Sequence, residues 1–316
     1  MRALVLEQGQ VQIWEDCPAP QPEKHEVLVK VLKAGVCETD LQLARGYMNF
    51  SGILGHEFVG VAESGRYAGQ RVVADINCCA AEPCQACPQN RHHCARRSVL
   101  GIFNHHGAFA EFVAVPEDNL TPVPDCVSDD QAVFVEPLAA AFEILEQVAI
   151  KPEHRVAVVG DGRLGYLIAQ VCHMKCPEVT VIGKHSEKLQ RFTQHQIKTQ
   201  LLQDFSGQLE FDVTIDCTGS VGGLELSLRI TRPRGRVVLK TTVASRYEID
   251  LSPIVINELQ VIGSRCGPMP RALAALADSR IEVESLITAR VPLEQAGQAI
   301  QLASQPGHSK VLIEIA

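Results

Sequence analysis

The sequence predicts an α/β chain with a doubly wound parallel sheet and a second, β-rich domain, and three observations predict it. Strand-like and helix-like segments alternate between residues 155 and 264, and a glycine triplet closes the first of those strands. The first 130 residues instead carry short β-branched runs set between Gly, Pro and Asn. A chain of 316 residues exceeds the roughly 250 to 300 residues at which single cores stop growing, so two cores are expected. Residues 1–130 and 265–316 are assigned to the first domain and 131–264 to the second.

Taken in order, the N-terminal stretch MRALVLEQGQVQIWE reads as a strand pair, and EVLVKVLKAGV, HEFVGVAES, QRVVAD and AFAEFVAV read as further strands. From Asp129 the pattern changes to a helix-like stretch with apolar residues at three- and four-residue spacing. The units that follow are strand RVAVVG, a helix from Leu164, strand EVTVIG, a helix from Ser186, strand DVTIDCTG, a helix from Gly222, and strands GRVVLKTT and ELQVIGS. Such alternation implies right-handed crossovers and a sheet covered on both faces. The closing strand KVLIEIA cannot extend that sheet and is expected to return to the first domain.

Charged residues make up 21% and hydrophobic residues 46%, and the net charge is -8. That balance excludes a disordered chain and argues against nucleic acid, which requires clustered Lys and Arg on one face. The N-terminus lacks the basic stretch and long apolar run of a signal peptide, so a cytoplasmic protein without membrane association is expected.

In VAVVGDGRLGYLIAQV, Gly160, Gly162 and Gly165 stand in the order GxGxxG after a hydrophobic strand and at the start of a helix, with Arg163 and Leu164 between them. The first glycine permits a tight turn, the second lets a pyrophosphate approach the backbone, and the third lets helix and strand pack closely. Free N–H groups at the helix start then hold the anion, so a Rossmann dinucleotide site is predicted. The second strand would end in an acid, about 20 residues on, if a carboxylate gripped the ribose hydroxyls of NAD. It ends instead in Gly183, followed by Lys184, His185 and, within two turns, Lys188 and Arg191. Basic residues there offer room for a 2′-phosphate and favour NADP over NAD.

Twelve cysteines without an export signal read as thiols and metal ligands rather than as disulfides. Five crowd into CCAAEPCQACPQNRHHC. Cys79 (or Cys78), Cys84, Cys87 and Cys94 suit a closed tetrahedral zinc that staples a loop with little core of its own, and His92 or His93 could replace a thiolate.

GVCETD at 35–40, GHEFVG at 55–60 and VEPLAAA at 135–141, each weak alone, stand in this order before the glycine motif. Together with LGI at 100–102, DCTG at 216–219 and PLEQAGQAI at 292–300, they resemble the zinc-containing alcohol dehydrogenase branch of the medium-chain dehydrogenase/reductase family. The resemblance spans nearly the whole chain. It implies a GroES-like first domain and a catalytic zinc held by Cys37 and His56, with Glu136 or Glu57 as third ligand. Glu136 before Pro137 and Leu138 is similar to the polyol (sorbitol-type) dehydrogenases. A thiolate, an imidazole and a carboxylate leave one position of a tetrahedral zinc open, which suits catalysis.

The resemblance further implies that a small alcohol or polyol gives its hydride to the nicotinamide, the zinc acting as Lewis acid. Thr39 corresponds to the hydroxyl that passes the proton, Asp40 to the carboxylate that orients His56, and Lys310 to a cation close to Glu57. Glu57 is also counted among the catalytic residues, and Thr218 among those on the cofactor. Where the family carries a relay histidine this chain has Gln42, which does not titrate. The spacing of the cysteine cluster also departs from the family's. The substrate pocket is expected between the domains, walled by Tyr47, Met48, Phe50 and Leu138. A homodimer, or a homotetramer, is expected through edge strands near Val255 to Val261. An amino-alcohol dehydrogenase of the threonine type, a zinc-free quinone or alkene reductase and a non-catalytic NADPH-binding protein are the competing readings.

Overall fold

The computed structural model describes residues 1–79, 91–207, 209–243 and 247–316. The chain divides into two compact units, Met1–Glu136 with Met269–Ala316, and Pro137–Pro268.

In the first unit, β1 (Ala3–Glu7) pairs antiparallel with β2 (Gln10–Trp14), and β3 (Glu26–Gly35) runs on to the turn that starts α1 (Glu38–Ala44). β4 (Gly52–Ile53) closes the small sheet β2-β1-β4, and β5 (Glu57–Ala62) lies antiparallel beside β3. β6 (Arg71–Ala74) follows β5 in the larger sheet. β7 (Asn77–Cys79) pairs with β8 (Arg97–Val99), β9 (Phe112–Pro116) pairs with β3, and β10 (Leu120–Pro122) lies on β6. The alternation of β3 buries Val27, Val29 and Val31, with Val115 and Val113 of β9 opposite the first two, which is why a β-branched run with period two settles here.

The helix-like stretch from Asp129 is not continuous. It forms α2 (Asp129–Ala132) and α3 (Val135–Gln147), broken at Val133 and Phe134. Ser128 caps α2 reciprocally: its hydroxyl accepts from Gln131 N at 3.2 Å and its N–H donates to Gln131 Oε1 at 3.0 Å. The break turns both apolar side chains inward. Val133 comes so close to Gly35 that a Cβ there would lie 2.6 Å from Val133 Cγ1, and Phe134 presents its ring to Lys310 Nζ at 5.3 Å.

The second unit is a parallel sheet of β11 (Val156–Val159), β12 (Val179–Gly183), β13 (Lys198–Leu201), β14 (Phe211–Asp216), β15 (Thr231–Leu239) and β16 (Gln260–Gly263), in the order β13-β12-β11-β14-β15-β16. This is the Rossmann order, with the first strand at the centre. α4 (Arg163–His173), α5 (Ser186–Thr193), α6 (Val221–Ile230) and α7 (Ser252–Ile256) connect its strands. β11 is buried along its whole length, as a strand covered on both faces must be. Tyr166 on α4 is 1% exposed; its ring meets Phe192 edge-on at 5.2 Å and its hydroxyl lies 2.6 Å from His195 Nε2. β13 was not among the expected strands. KTQL has no apolar run to announce it, and an edge strand needs none.

After α8 (Met269–Ala277) come β17 (Ile287–Pro292), α9 (Ala296–Ala303) and β18 (Lys310–Glu314). β18 inserts between β17 and β3 in the larger sheet of the first unit, which places Lys310 beside the end of β3. Among the described residues no helix is long and apolar enough to cross a membrane.

Candidate functional site

β3 ends at Gly35, and Cys37 stands at the start of α1. The N–H of Cys37 donates to Asp40 Oδ2 at 2.8 Å, so the acid three residues on ties down the turn that carries the thiol. His56 immediately precedes β5 and Glu57 opens it. One ligand atom each from Cys37, His56 and Glu57 lie within 4.8 Å of one another, and no other such group of three occurs among the described residues. His56 is 3% and Glu57 1% exposed.

Asp40 is fully buried, and its Oδ1 stands 3.3 Å from His56 Nδ1. Neither atom completes a hydrogen bond in the protein. Burial acts to lower the pKa of the imidazole, but Asp40 and Cys37 beside it hold it well above the ordinary value. A soft thiolate at the half-buried Cys37, with the buried imidazole of His56 and carboxylate of Glu57 and a further carboxylate facing the far ring nitrogen, fits a zinc ion.

Glu57 also belongs to an ion pair. Lys310 Nζ meets Glu57 Oε2 in a contact sealed from solvent, 253 residues apart in sequence. Glu136, the second residue of α3, is not part of that three-residue group but feels the charges of His56 and Glu57. Burial pushes its carboxyl up to about 7, the charge on His56 working the other way and that on Glu57 adding to the rise. Thr39 is half-buried, and the Cys37 thiol donates to its Oγ1 at 3.7 Å. Gln42 Nε2 donates to Glu38 Oε1 at 2.9 Å. Of the residues expected to wall a substrate pocket, Met48 is 48% exposed, Tyr47 and Phe50 are half-buried, and Leu138 is buried in α3.

In the cysteine cluster, Cys84 and Cys87 lie outside the described residues. β7 points its two cysteines to opposite sides, as a strand must. Cys78 is 2% exposed and turned inward, 3.9 Å from Asn119 Nδ2, whereas Cys79 Sγ lies 3.4 Å from Cys94 Sγ. His92 pairs with Asp75, and His93 follows it on the same short turn (Arg91–His93).

In the second unit the glycine triplet forms the turn from β11 into α4. Gly160 has φ +126, where side chains are strained, and a Cβ on Gly165 would lie 2.2 Å from the Gly160 carbonyl oxygen. Gly162 caps α4, with Arg163 and Leu164 in its first turn. Thr218 follows β14, its hydroxyl donating to Asp216 Oδ1 at 2.9 Å. Lys184 and His185 are exposed beyond β12, and Lys188 and Arg191 are half-buried on α5.

The sequence reading missed one residue at this turn. Asp161, between the first two glycines, accepts from Lys184 N and His185 N through Oδ2, at 2.7 Å each, and stands 3.1 Å from His185 Nδ1. The available signal was a carboxylate inside the glycine motif together with Gly183 where the strand-end acid would stand.

Residues 23–125 match the alcohol dehydrogenase GroES-like domain family. Over 99% of both chains, the sequence is 26% identical to sorbitol dehydrogenase of Halalkalibacterium halodurans. Among solved structures, the alcohol dehydrogenase TADH of Thermus sp. ATN1 superposes with a TM-score of 0.90 at 26% identity, covering 100% of both chains. An alcohol dehydrogenase of Escherichia coli CFT073, complexed with NADH, superposes with a TM-score of 0.90 at 26% identity, covering 99% of both.

Proposed function

We propose that this chain, which belongs to the zinc-type medium-chain alcohol dehydrogenase family, interconverts a small alcohol or polyol and its aldehyde or ketone by hydride transfer with a nicotinamide dinucleotide. The gathering of Cys37, His56 and Glu57 beside the buried Asp40 carries the reading. Similarity to a sorbitol dehydrogenase over 99% of both chains supports a polyol as substrate.

Cys37 and His56 would hold the zinc, with Glu57 or Glu136 as third ligand, and the ion would supply Lewis acidity to the substrate oxygen. Asp40 faces Nδ1 of His56 at 3.3 Å, and its charge favours the ring orientation that leaves Nε2 for ligation. Thr39 has a hydroxyl at the edge of the group that can hold and pass a proton. Gln42, turned to Glu38, adds no titrating step to that path. Lys310 pairs with Glu57 where both side chains are buried, so the cation fixes the position of that carboxylate beside the group. The approach of Cys79 to Cys94 supports a second, structural zinc on Cys79, Cys84, Cys87 and Cys94.

The turn from β11 into α4 would hold the pyrophosphate. Lys184 and Lys188 support a 2′-phosphate at the end of β12, whereas Asp161, to which His185 is turned, supports a free ribose diol at the same place. Val255 and Ile256 are 79% and 76% exposed next to the edge strand β16, which supports a homodimer through that edge.

The test is dinucleotide-linked oxidation of a panel of primary alcohols, secondary alcohols and polyols by wild type and Cys37→Ser. Turnover of at least one class by wild type and its loss in the variant are expected. Wild-type protein that binds a dinucleotide but turns over none would remove the reading.

A further inference from the structure

The end of the second Rossmann strand is where a carboxylate distinguishes a ribose diol from a 2′-phosphate, because it accepts hydrogen bonds from hydroxyls and repels a phosphate dianion. β12 carries no acid there. The parallel pairing of β11 with β12 brings Val159 level with Ile182, and Gly160 N donates to Ile182 O at 2.9 Å, so residue 161 emerges alongside Gly183. Asp161 uses that position. A Cβ on Gly183 would lie 2.6 Å from both Cβ and Oδ2 of Asp161, so the acid fills the space that a side chain of the strand end would occupy.

The carboxylate is held there firmly. Oδ2 accepts two backbone N–H groups, from Lys184 and His185, and both oxygens lie 3.1 Å from His185 Nδ1. Its side chain is 9% exposed. A carboxylate has about four lone-pair sites, so accepting capacity remains on Oδ1. The imidazole of His185, which the sequence offers to a phosphate, is already turned to this acid. The end of β12 therefore presents a firmly held carboxylate alongside the basic residues Lys184 and Lys188, not an open basic pocket.

We infer that Asp161 is the residue that reads the 2′ position of the adenosine ribose, supplying from the glycine turn the carboxylate that β12 lacks, and that it biases the chain toward NAD. This rests on the dinucleotide reading of the second unit. It differs from the sequence expectation of NADP because residues 161 and 183 become neighbours only through strand pairing.

The experiment measures Kd for NADH and NADPH by fluorescence titration, with kcat/KM for both cofactors, on wild type, Asp161→Asn and the double variant Asp161→Gly/Gly183→Asp. Wild type is expected to favour NADH. Asp161→Asn keeps the size and one acceptor but loses the charge, and the NADPH-to-NADH ratio is expected to rise at least tenfold. The double variant moves the acid onto the strand and is expected to restore NADH preference, a rescue that a merely structural aspartate would not give. An NADPH preference in wild type, or an unchanged or lower ratio in folded Asp161→Asn, overturns the inference. If Asp161→Asn does not fold, an NADPH preference in the double variant overturns it and an NADH preference supports it. Binding of neither dinucleotide by wild type overturns both this inference and the dehydrogenase reading.

Discussion

Lys310 and Glu57 form a buried ion pair between the last strand of the chain and the strand that follows His56. The two are 2% and 1% exposed, and Gly35 between them leaves no room for a side chain: a Cβ there would lie 3.2 Å from both Glu57 Oε2 and Lys310 Cδ. The pair therefore ties the fold of the first unit to the geometry of the Cys37 and His56 group.

In metal-free protein, Lys310→Met should cost about 3–5 kcal/mol, because it leaves the Glu57 carboxylate buried without its cation. Adding Glu57→Leu should recover most of that loss, since removing both charges is far cheaper than stranding one. Denaturant unfolding of the single and double variants checks this. Equal loss in both would mean that the pair does not govern stability.

Gly165→Ala should weaken dinucleotide binding at least tenfold. Its Cβ would meet a backbone oxygen at 2.2 Å, and only a shift of the whole turn relieves that contact. NADH titration of the folded variant is the measurement, and wild-type affinity would contradict the role given to this turn.

Cys79→Ser should release the zinc proposed for this cluster, whereas Cys78→Ser should retain it and act only through core packing. Zinc per chain in the two variants separates them. Retention of both zinc ions in Cys79→Ser would shift the ligand assignment within the cluster.

Burial raises the pKa of Asp130, but hydrogen bonds from Arg290 and Lys33 hold the carboxyl below its ordinary value. The stability it contributes is therefore present above about pH 4 and lost as pH falls through the lowered value. Arg290 is 46% exposed, so Arg290→Leu should cost about 1 kcal/mol or less at pH 7. The difference from wild type should shrink progressively in melts taken as pH falls below about 4. A difference that stays constant with pH would remove this ion pair from the account.

The parts of the fold visible in the sequence were those that local chemistry dictates: the glycine triplet after an apolar strand, the β-branched runs of the first unit, and the change of period at Asp129. What pairing creates was not visible. KTQL becomes a strand only because β12 offers it an edge, and Val133 and Phe134 break a regular helical pattern because Gly35 and Lys310 receive them. The site followed the same rule. Cys37, His56 and Asp40 could be picked out by motif, whereas Asp161 acquires a role only when β11 and β12 lie side by side.

Metal content per chain, read by plasma emission spectrometry on wild type and Cys37→Ser alongside alcohol oxidation, tests the central claim most directly. About two zinc ions in wild type, falling to about one with activity lost in Cys37→Ser, is the predicted result. Active wild-type protein that carries no zinc would contradict it.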